Sequence, residues 1–127
     1  MKLIITCSFI LMLAVELSSN NSDIFAREVN YFPEEKKVQL NGDISIEYND
    51  WTFLADSGDF LIEEKKLLLH GSENRKASFS NQQKTVFGES NYIEVNLEKS
   101  IDLQGEAELT SNLEHIKSNK ISYKFVK

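Results

Sequence analysis

The sequence predicts an all-β fold, an open roll of stacked antiparallel strands around an apolar interior. Apolar residues alternate with polar ones from residue 25 onward, and no segment keeps a helical period over three turns. Turn-forming residues recur about every 8–12 positions, the spacing of all-β sandwiches and rolls. One phrase also repeats: a charged turn, an alternating strand and then Leu-x-Gly, which ends at Gly42, Gly71 and Gly105. Such a repeat indicates a stack of similar hairpins.

The N-terminal residues predict a targeting segment. Met1 and Lys2 precede an apolar run over residues 3–15, which is shorter than the roughly 20 residues of a bilayer span. Glu16 and a polar stretch follow, so residues 1–22 have the organisation of a secretory signal peptide and residues 23–127 form one domain. A retained N-terminal anchor is the alternative. Cys7, the one cysteine, lies in this segment, so we expect the exported domain to fold without disulfides.

Composition and motifs exclude several classes of function. The formal net charge is −6 and no basic patch appears, which argues against nucleic acid as a partner because lysine and arginine supply most of that affinity. No nucleophile elbow or glycine-rich phosphate loop is present, so we expect no enzyme, no catalytic residues and no cofactor. His70 and His115 have no carboxylate or thiol at metal-ligand spacing, so we expect surface residues and no metal site.

The strands can be placed in chain order. The first carries Phe25, Val29 and Tyr31 on one face and ends at Pro33, and the charged turns at 34–37 and 63–66 separate later strands. Further turns are predicted at 49–50, 81–84 and 98–100, with a polar stretch at 72–76. The apolar residues of the later strands are, in order, Val38, Leu40, Ile44, Ile46 and Tyr48; Trp51, Phe53, Ala55, Phe60 and Ile62; the run 67–69; Ala77 and Phe79; Ile93, Val95 and Leu97; Ile101, Leu103, Ala107 and Leu109; and Ile121, Tyr123 and Phe125.

The three repeated glycines predict the curvature of the sheet. Glycine inside a strand marks a bulge, a bend or a close approach of another backbone. Because Gly42, Gly71 and Gly105 follow equivalent turns, we expect their bends to lie in register and to curve the stack around an apolar trough.

The order of these elements resembles the LptA family of OstA-like domains, which includes LptA, LptC and the N-terminal part of LptD. The resemblance covers residues 24–127. The matching elements are Leu40-x-Gly42-Asp43-Ile44-x-Ile46, Leu54-Ala55-Asp56 leading to Phe60, Gly71 with Ala77-x-Phe79, Gly88-x-Ser90 leading to Tyr92, Leu103-x-Gly105-x-Ala107-x-Leu109 and Ile116-x-Ser118-x-x-Ile121-x-Tyr123.

The resemblance implies a β-jellyroll that is open on one side and a periplasmic protein without catalytic activity. Members of the family bind the lipid A acyl chains of lipopolysaccharide in the interior and bridge the inner and outer membranes. The implied partners are an LptC-like inner-membrane protein, an LptD-like outer-membrane protein and further copies in an end-to-end homo-oligomer. Two features depart from the pattern: Lys76 stands where the family usually has proline, and the chain stops soon after Tyr123.

Ten aliphatic and aromatic residues are the candidates for the lining of this lipid-binding trough. Each methylene removed from water contributes roughly 0.8 kcal/mol, so several acyl chains need no polar recognition. The same residues could form an ordinary packed core, and the two roles overlap in an open roll. The candidates are Val38, Leu40, Ile44, Ile46, Leu69, Phe79, Ile93, Val95, Ile101 and Leu103.

Other residues have weaker functional interpretations. Trp51 starts a strand and is a candidate for the rim of the trough. The polar stretch after Gly71 predicts a looser side, which is the first candidate for lipid access. Six cations could meet lipid A phosphates as point charges, namely Lys36, Lys37, Lys65, Lys66, Arg75 and Lys76.

Two rival functions remain open from the sequence. The first is an LptC-like role in which residues 3–15 are kept as a membrane anchor. The second is a structural assembly module that binds no lipid.

Overall fold

The computed structural model describes residues 22–125, so the predicted signal segment lies, apart from Ser22, outside the described residues. All the regular structure in this range is β-strand, and no helix in it is long and apolar enough to cross a bilayer. The strands are β1 (Ser22–Phe25), β2 (Glu28–Phe32), β3 (Lys37–Tyr48), β4 (Trp51–Leu61), β5 (Lys66–His70), β6 (Ala77–Asn81), β7 (Val86–Ser90), β8 (Tyr92–Asn96), β9 (Ser100–Ser111) and β10 (Glu114–Lys124).

The strands form an up-and-down antiparallel meander of seven passes within residues 22–125. The passes are β1 with β2, then β3, then β4, β5 with β6, β7 with β8, β9 and finally β10. Each pass is hydrogen-bonded to the next, so that β3 lies between β4 and the pair β1 and β2. At the other end, β9 lies between β10 and the pair β7 and β8. Neighbours in sequence are thus neighbours in space, as is usual for short connections.

Each pass bends near its middle, and the bends lie side by side along a line that we call the crease. The two long strands β3 and β9 bend at Gly42 and Gly105, whose φ angles are 84° and 87°. Glycine adopts such angles without the steric cost that a Cβ imposes. A Cβ on Gly105 would lie 2.9 Å from Nδ2 of Asn91, which belongs to the neighbouring pass.

Backbone hydrogen bonds hold these bends in register. The amide of Arg27 donates to the carbonyl of Gly42, and the amide of Asn91 donates to the carbonyl of Gly105, both at 2.9 Å. The predicted register of bends is therefore confirmed at Gly42 and Gly105. Gly71 also lies at the crease, directly after β5, but its φ is not in the positive range and a loop over residues 71–76 makes the bend.

The crease divides the sheet into two leaves that face each other. Leaf 1 contains β2, β5, β8 and residues 37–41, 57–61, 100–104 and 120–124 of the long strands. Leaf 2 contains β1, β6, β7 and residues 44–48, 51–55, 107–111 and 114–118. The side chains between the leaves form one buried cluster. Next to the crease, where the leaves converge, leaf 2 buries the small side chains of Ala55, Ala77, Ser90 and Ala107.

The edge of leaf 1 opposite the crease is a stack of turns. The carbonyl of Lys36 accepts from the amide of Ile62 at 2.9 Å, and the carbonyl of Lys65 accepts from the amide of Leu97 at 3.0 Å. The charged turns predicted from the repeat therefore lie directly against one another. We call the gap between the turn edges of the two leaves the mouth.

The all-β open jellyroll is confirmed, with three local differences from the strand predictions. Phe25 does not share a face with Val29, because the chain turns at residues 26–27 and leaves Phe25 62% exposed on the outside of leaf 2. Strand β7 and the first half of β10 were not predicted. Both carry few apolar residues, with Gly88 at an inward position of β7 and exposed side chains along most of β10.

Candidate ligand-binding interior

All ten predicted lining residues lie between the leaves in one cluster. Each is between 0% and 3% exposed, so these side chains are covered by one another and by the rest of the cluster. They are Val38, Leu40, Ile44, Ile46, Leu69, Phe79, Ile93, Val95, Ile101 and Leu103. The structure brings them together, and whether they bind a ligand stays a prediction.

Three rows of inward side chains cross every pass from β1 and β2 to β10. The first row runs Val29, Leu40, Gly58, Leu69, Ile93, Leu103 and Ile121. The second row runs Tyr31, Val38, Phe60, Leu67, Val95, Ile101 and Tyr123. The third row, in leaf 2, runs Ile24, Ile46, Phe53, Phe79, Gly88, Leu109 and Ile116. No charged or amide side chain interrupts any of them.

One glycine in these rows makes room for an aromatic ring. A Cβ on Gly88 would overlap the ring of Phe79, whose Cζ lies 3.0 Å from that position. Phe79 and Phe53 are neighbours in the same row, with ring centroids 6.3 Å apart. The third row therefore has aromatic side chains at its centre and a glycine that accommodates them.

The rows remain apolar up to the last strand. Ile116 ends the third row on β10 and is 47% exposed, and Leu113 in the preceding turn is fully exposed. Among residues 22–125, β10 pairs with β9 alone, and β1 and β2 pair with β3 alone. Both ends of the stack thus present a strand edge, and the C-terminal end also presents apolar side chains.

The crease is closed on its outside by a network of ion pairs. Arg75 contacts Asp56 at 2.5 Å and Asp43 at 3.2 Å, and Arg27 contacts Asp43 at 2.6 Å. The hydrogen bond from Arg27, with that from Arg75, lowers the pKa of Asp43 below its ordinary value. Hydrogen bonds from Ser72 and then from Arg75 lower the pKa of Asp56. The same two carboxylates raise the pKa of Arg75.

These contacts contradict the prediction of a looser side after Gly71. The amide of Gly71 donates to the carbonyl of Asn91 at 2.9 Å, and Lys76 Nζ donates to the carbonyl of Glu106 at 2.9 Å. The polar stretch 72–76 turns back on itself and supplies Arg75 to the ion pairs. Polarity at this loop reflects its place on the outer surface of the bend; lipid access there is untested, but the looser side that suggested it is absent from this loop.

The mouth, on the opposite side, is closed by aromatic side chains. Trp51 of leaf 2 lies 5.5 Å from Tyr123 and 5.7 Å from Phe125 of leaf 1, measured between ring centroids. Phe79 lies beneath, 5.6 Å from Trp51 and 6.0 Å from Tyr123. A cavity of about 350 Å³ opens beside this cluster. The sequence suggested a rim position for Trp51, but its contact with Tyr123 and Phe125 depends on how the leaves face each other.

The six cations considered for lipid phosphates all have acidic partners in this structure. Lys36, Lys37, Lys65 and Lys66 lie at the turn edge of leaf 1, each within 3.5 Å of a glutamate oxygen. Arg75 and Lys76 lie at the crease. The six cations thus occupy opposite edges of leaf 1 and do not form a single anion-binding patch.

The histidines lie on the surface, as predicted. His70 is exposed beside the ring of Tyr92, and His115 lies 3.2 Å from Glu108. Within residues 22–125, no group of three or more His, Cys, Asp and Glu residues is placed to hold a metal ion.

Comparison with known proteins gives a structural relative but no sequence relative. No protein-family model and no curated protein matches the sequence. The fold of this chain is similar to that of LptH. That protein, from Pseudomonas aeruginosa, is the LptA-homologous periplasmic component of the lipopolysaccharide transport device. The match has a TM-score of 0.73 and covers 83% of this chain and 76% of LptH, at 10% sequence identity. At this identity the likeness establishes the jellyroll fold, in agreement with the family that the sequence resembles.

Proposed function

We propose that this protein binds the acyl chains of lipopolysaccharide between its leaves and carries them across the periplasm as part of a bridge between the membranes. The observation that carries the proposal is the set of three uninterrupted apolar rows across all seven passes. The likeness to LptH supports the same function at the level of the fold. Catalysis has no part in the proposal.

The dimensions of the interior suit an acyl chain. Adjacent strands lie about 4.8 Å apart, so a row across seven passes is about 29 Å long. The hydrocarbon of one bilayer leaflet is about half of a core of roughly 30 Å, so a chain of that length fits along a row. Because each methylene gains roughly 0.8 kcal/mol on leaving water, chains held this way can offset the cost of parting the leaves.

The two ends of the stack support a bridge. Strand edges with unpaired backbone groups invite strand addition by another chain. Strand β10 carries Lys117, Lys120 and Lys124 and one carboxylate, Glu114, whereas the first pass carries Asp23 and Glu28 and one cation, Arg27. These opposite charges favour head-to-tail contact between copies, or contact with LptC-like and LptD-like partners, over contact between like ends.

Photocrosslinking tests lipid binding directly. A photoreactive residue at Ile46 or Leu103, which are 3% and 0% exposed, should capture lipopolysaccharide in cells. The matched control is Leu54, which is 46% exposed on the outside of leaf 2, where no lipid should be captured. Ile46→Asp should abolish capture, because an unpaired buried charge is costly. A folded Ile46→Asp protein that still bound lipid fully would exclude Ile46 from the site.

A second candidate function is an assembly module that binds no lipid, and the near-complete burial of the side chains between the leaves favours it. Crosslinking separates the two, since a module of this kind would capture proteins alone from Ile46 and Leu103. The LptC-like role differs from the carrier role in keeping the N-terminal segment as a membrane anchor. Sequencing of the exported protein decides between the carrier and the LptC-like role, because cleavage near residue 22 gives the periplasmic carrier and an intact Met1 gives the anchored form.

A further inference from the structure

The mouth is closed by residues that lie far apart along the chain. Trp51 begins β4 in leaf 2, while Tyr123 is near the end of β10 and Phe125 follows it. The three rings contact one another, with Tyr123 and Phe125 centroids 6.4 Å apart. Each of the three is partly buried, so together they cover the core at the mouth without being part of its fully buried centre.

Space for a ligand lies directly beside these rings. The cavity of about 350 Å³ is lined by the hairpin between β3 and β4, the turn between β8 and β9, and Phe125. Its lining is mainly aromatic and aliphatic at the inner side, with Asn49 and Glu98 at the outer side. Such a site suits an alkyl chain with a polar group at its outer end.

The segment that carries Tyr123 and Phe125 lies at an edge of the stack. Strand β10 pairs with β9 alone among the described strands, whereas every inner pass has two neighbours. Beyond β10, the amide of Phe125 donates to the carbonyl of Lys99 at 2.9 Å. A strand at an exposed edge can open locally without breaking the pairings of the inner strands. Release of Tyr123 and Phe125 therefore disturbs one strand pairing and leaves the other passes in place.

We propose that Tyr123 and Phe125 are a displaceable plug, and that an alkyl chain enters sideways through the mouth and takes their place against Trp51 and Phe79. This rests on the proposed function, which requires an alkyl ligand between the leaves. In the empty protein the two rings cover the apolar surface that the ligand covers when bound. The crease offers no comparable route, because the leaves converge there on small side chains and ion pairs close the outside.

Phe125→Ala tests the plug by the direction of its effect. Shortening a competing side chain should strengthen ligand binding, whereas a residue that simply forms part of the site should weaken binding when truncated. The probe is a terminally brominated dodecanoic acid, since bromine quenches tryptophan fluorescence on contact and Trp51 is the one tryptophan of the chain. We expect quenching in the wild type and a dissociation constant about fivefold lower in Phe125→Ala. Phe125→Leu should lie between the two.

The control is Phe87→Ala, because Phe87 is 44% exposed on the outer face of leaf 2 and not between the leaves. Its dissociation constant should equal that of the wild type. Calorimetry measures binding independently of quenching, and circular dichroism checks that each variant is folded.

Three results would contradict the plug. Equal or weaker binding by both Phe125 variants would show that the ring does not compete with the ligand. Calorimetric binding without quenching of Trp51 would place the ligand away from the mouth and leave the proposed function standing. Absence of binding by every folded form, to this acid and to lipopolysaccharide, would remove the proposed function and the plug together.

Discussion

Leu103→Ala measures how tightly the leaves are packed. Leu103 is 0% exposed and lies between Ile93 and Ile121 in the first row. Truncation of a buried leucine costs about 2–5 kcal/mol, through lost transfer energy and the cavity that remains. We take about 3 kcal/mol for this site, because the neighbouring strands are hydrogen-bonded on both sides and limit collapse. In a domain of this size that loss lowers Tm by roughly 12–24 °C.

The matched control is Leu68→Ala on β5. Leu68 lies on the same leaf but points outward and is partly exposed, so its truncation should cost about 1 kcal/mol or less. Urea unfolding at about 25 °C, followed by Trp51 fluorescence and by circular dichroism, gives the free energy of unfolding and its slope for each protein. Equal slopes would show that each protein exposes the same surface on unfolding, so that their free energies of unfolding can be compared directly.

A ligand adds a second measurement to the same pair. An alkyl acid added to every variant at one concentration, about 100 times its dissociation constant for the wild type, stabilises the wild type by about 2.7 kcal/mol. If acyl chains lie along the first row, Leu103→Ala should regain more than the wild type gains, since the cavity accepts extra methylenes. Leu68→Ala should gain as much as the wild type.

Two outcomes would refute this reasoning. A loss below about 1 kcal/mol for Leu103→Ala, equal to that of Leu68→Ala, would mean that the side chains between the leaves are not closely packed. Equal ligand stabilisation in all three proteins would place the alkyl chain outside the first row.

Two further predictions concern the crease. Gly105→Ala should lower the free energy of unfolding by about 1–2 kcal/mol in urea, because the residue has positive φ and its Cβ would meet Asn91; an unchanged urea midpoint would show that the bend is not strained by a side chain. Arg75→Met should reduce the acid dependence of stability. The lowered pKa values of Asp43 and Asp56 stabilise the folded state above about pH 4, and this contribution disappears as the pH falls through those values. The wild type should therefore lose more stability than Arg75→Met between about pH 5 and about pH 2 at low salt. Equal losses in the two proteins would show that Arg75 does not contribute to the acid dependence of stability.

Strand identity followed from local patterns that do not depend on the rest of the fold. Side chains alternate between the two faces of a strand, so periodicity alone assigns Val38, Leu40, Ile44 and Ile46 to one face. The prediction survives the bend because the inward positions of β3 stay even-numbered on both sides of Gly42. The alternation changes in β4 instead, where the successive inward positions Ala55 and Gly58 are three residues apart.

The features that the sequence did not predict, or predicted wrongly, also have local reasons. The crease at Asp56 and Ser57 in β4 contains no glycine, so nothing in the pattern marked it, and Gly58 follows the bend as part of an inward row. The polar loop after Gly71 resembled an opening, because the pattern shows that residues are exposed but not that Arg75 meets carboxylates from two other passes.

The sequence by itself determined an all-β stack, most of its turns, ten of its core residues and the register of two bends, since each depends on local residue patterns or on the backbone freedom of glycine. The tertiary structure alone decided how the crease and the mouth are each closed. Ion pairs between residues far apart in sequence close the crease, and the facing of the two leaves brings Trp51 against Tyr123 and Phe125. Such contacts depend on distances across the fold, which no local pattern encodes.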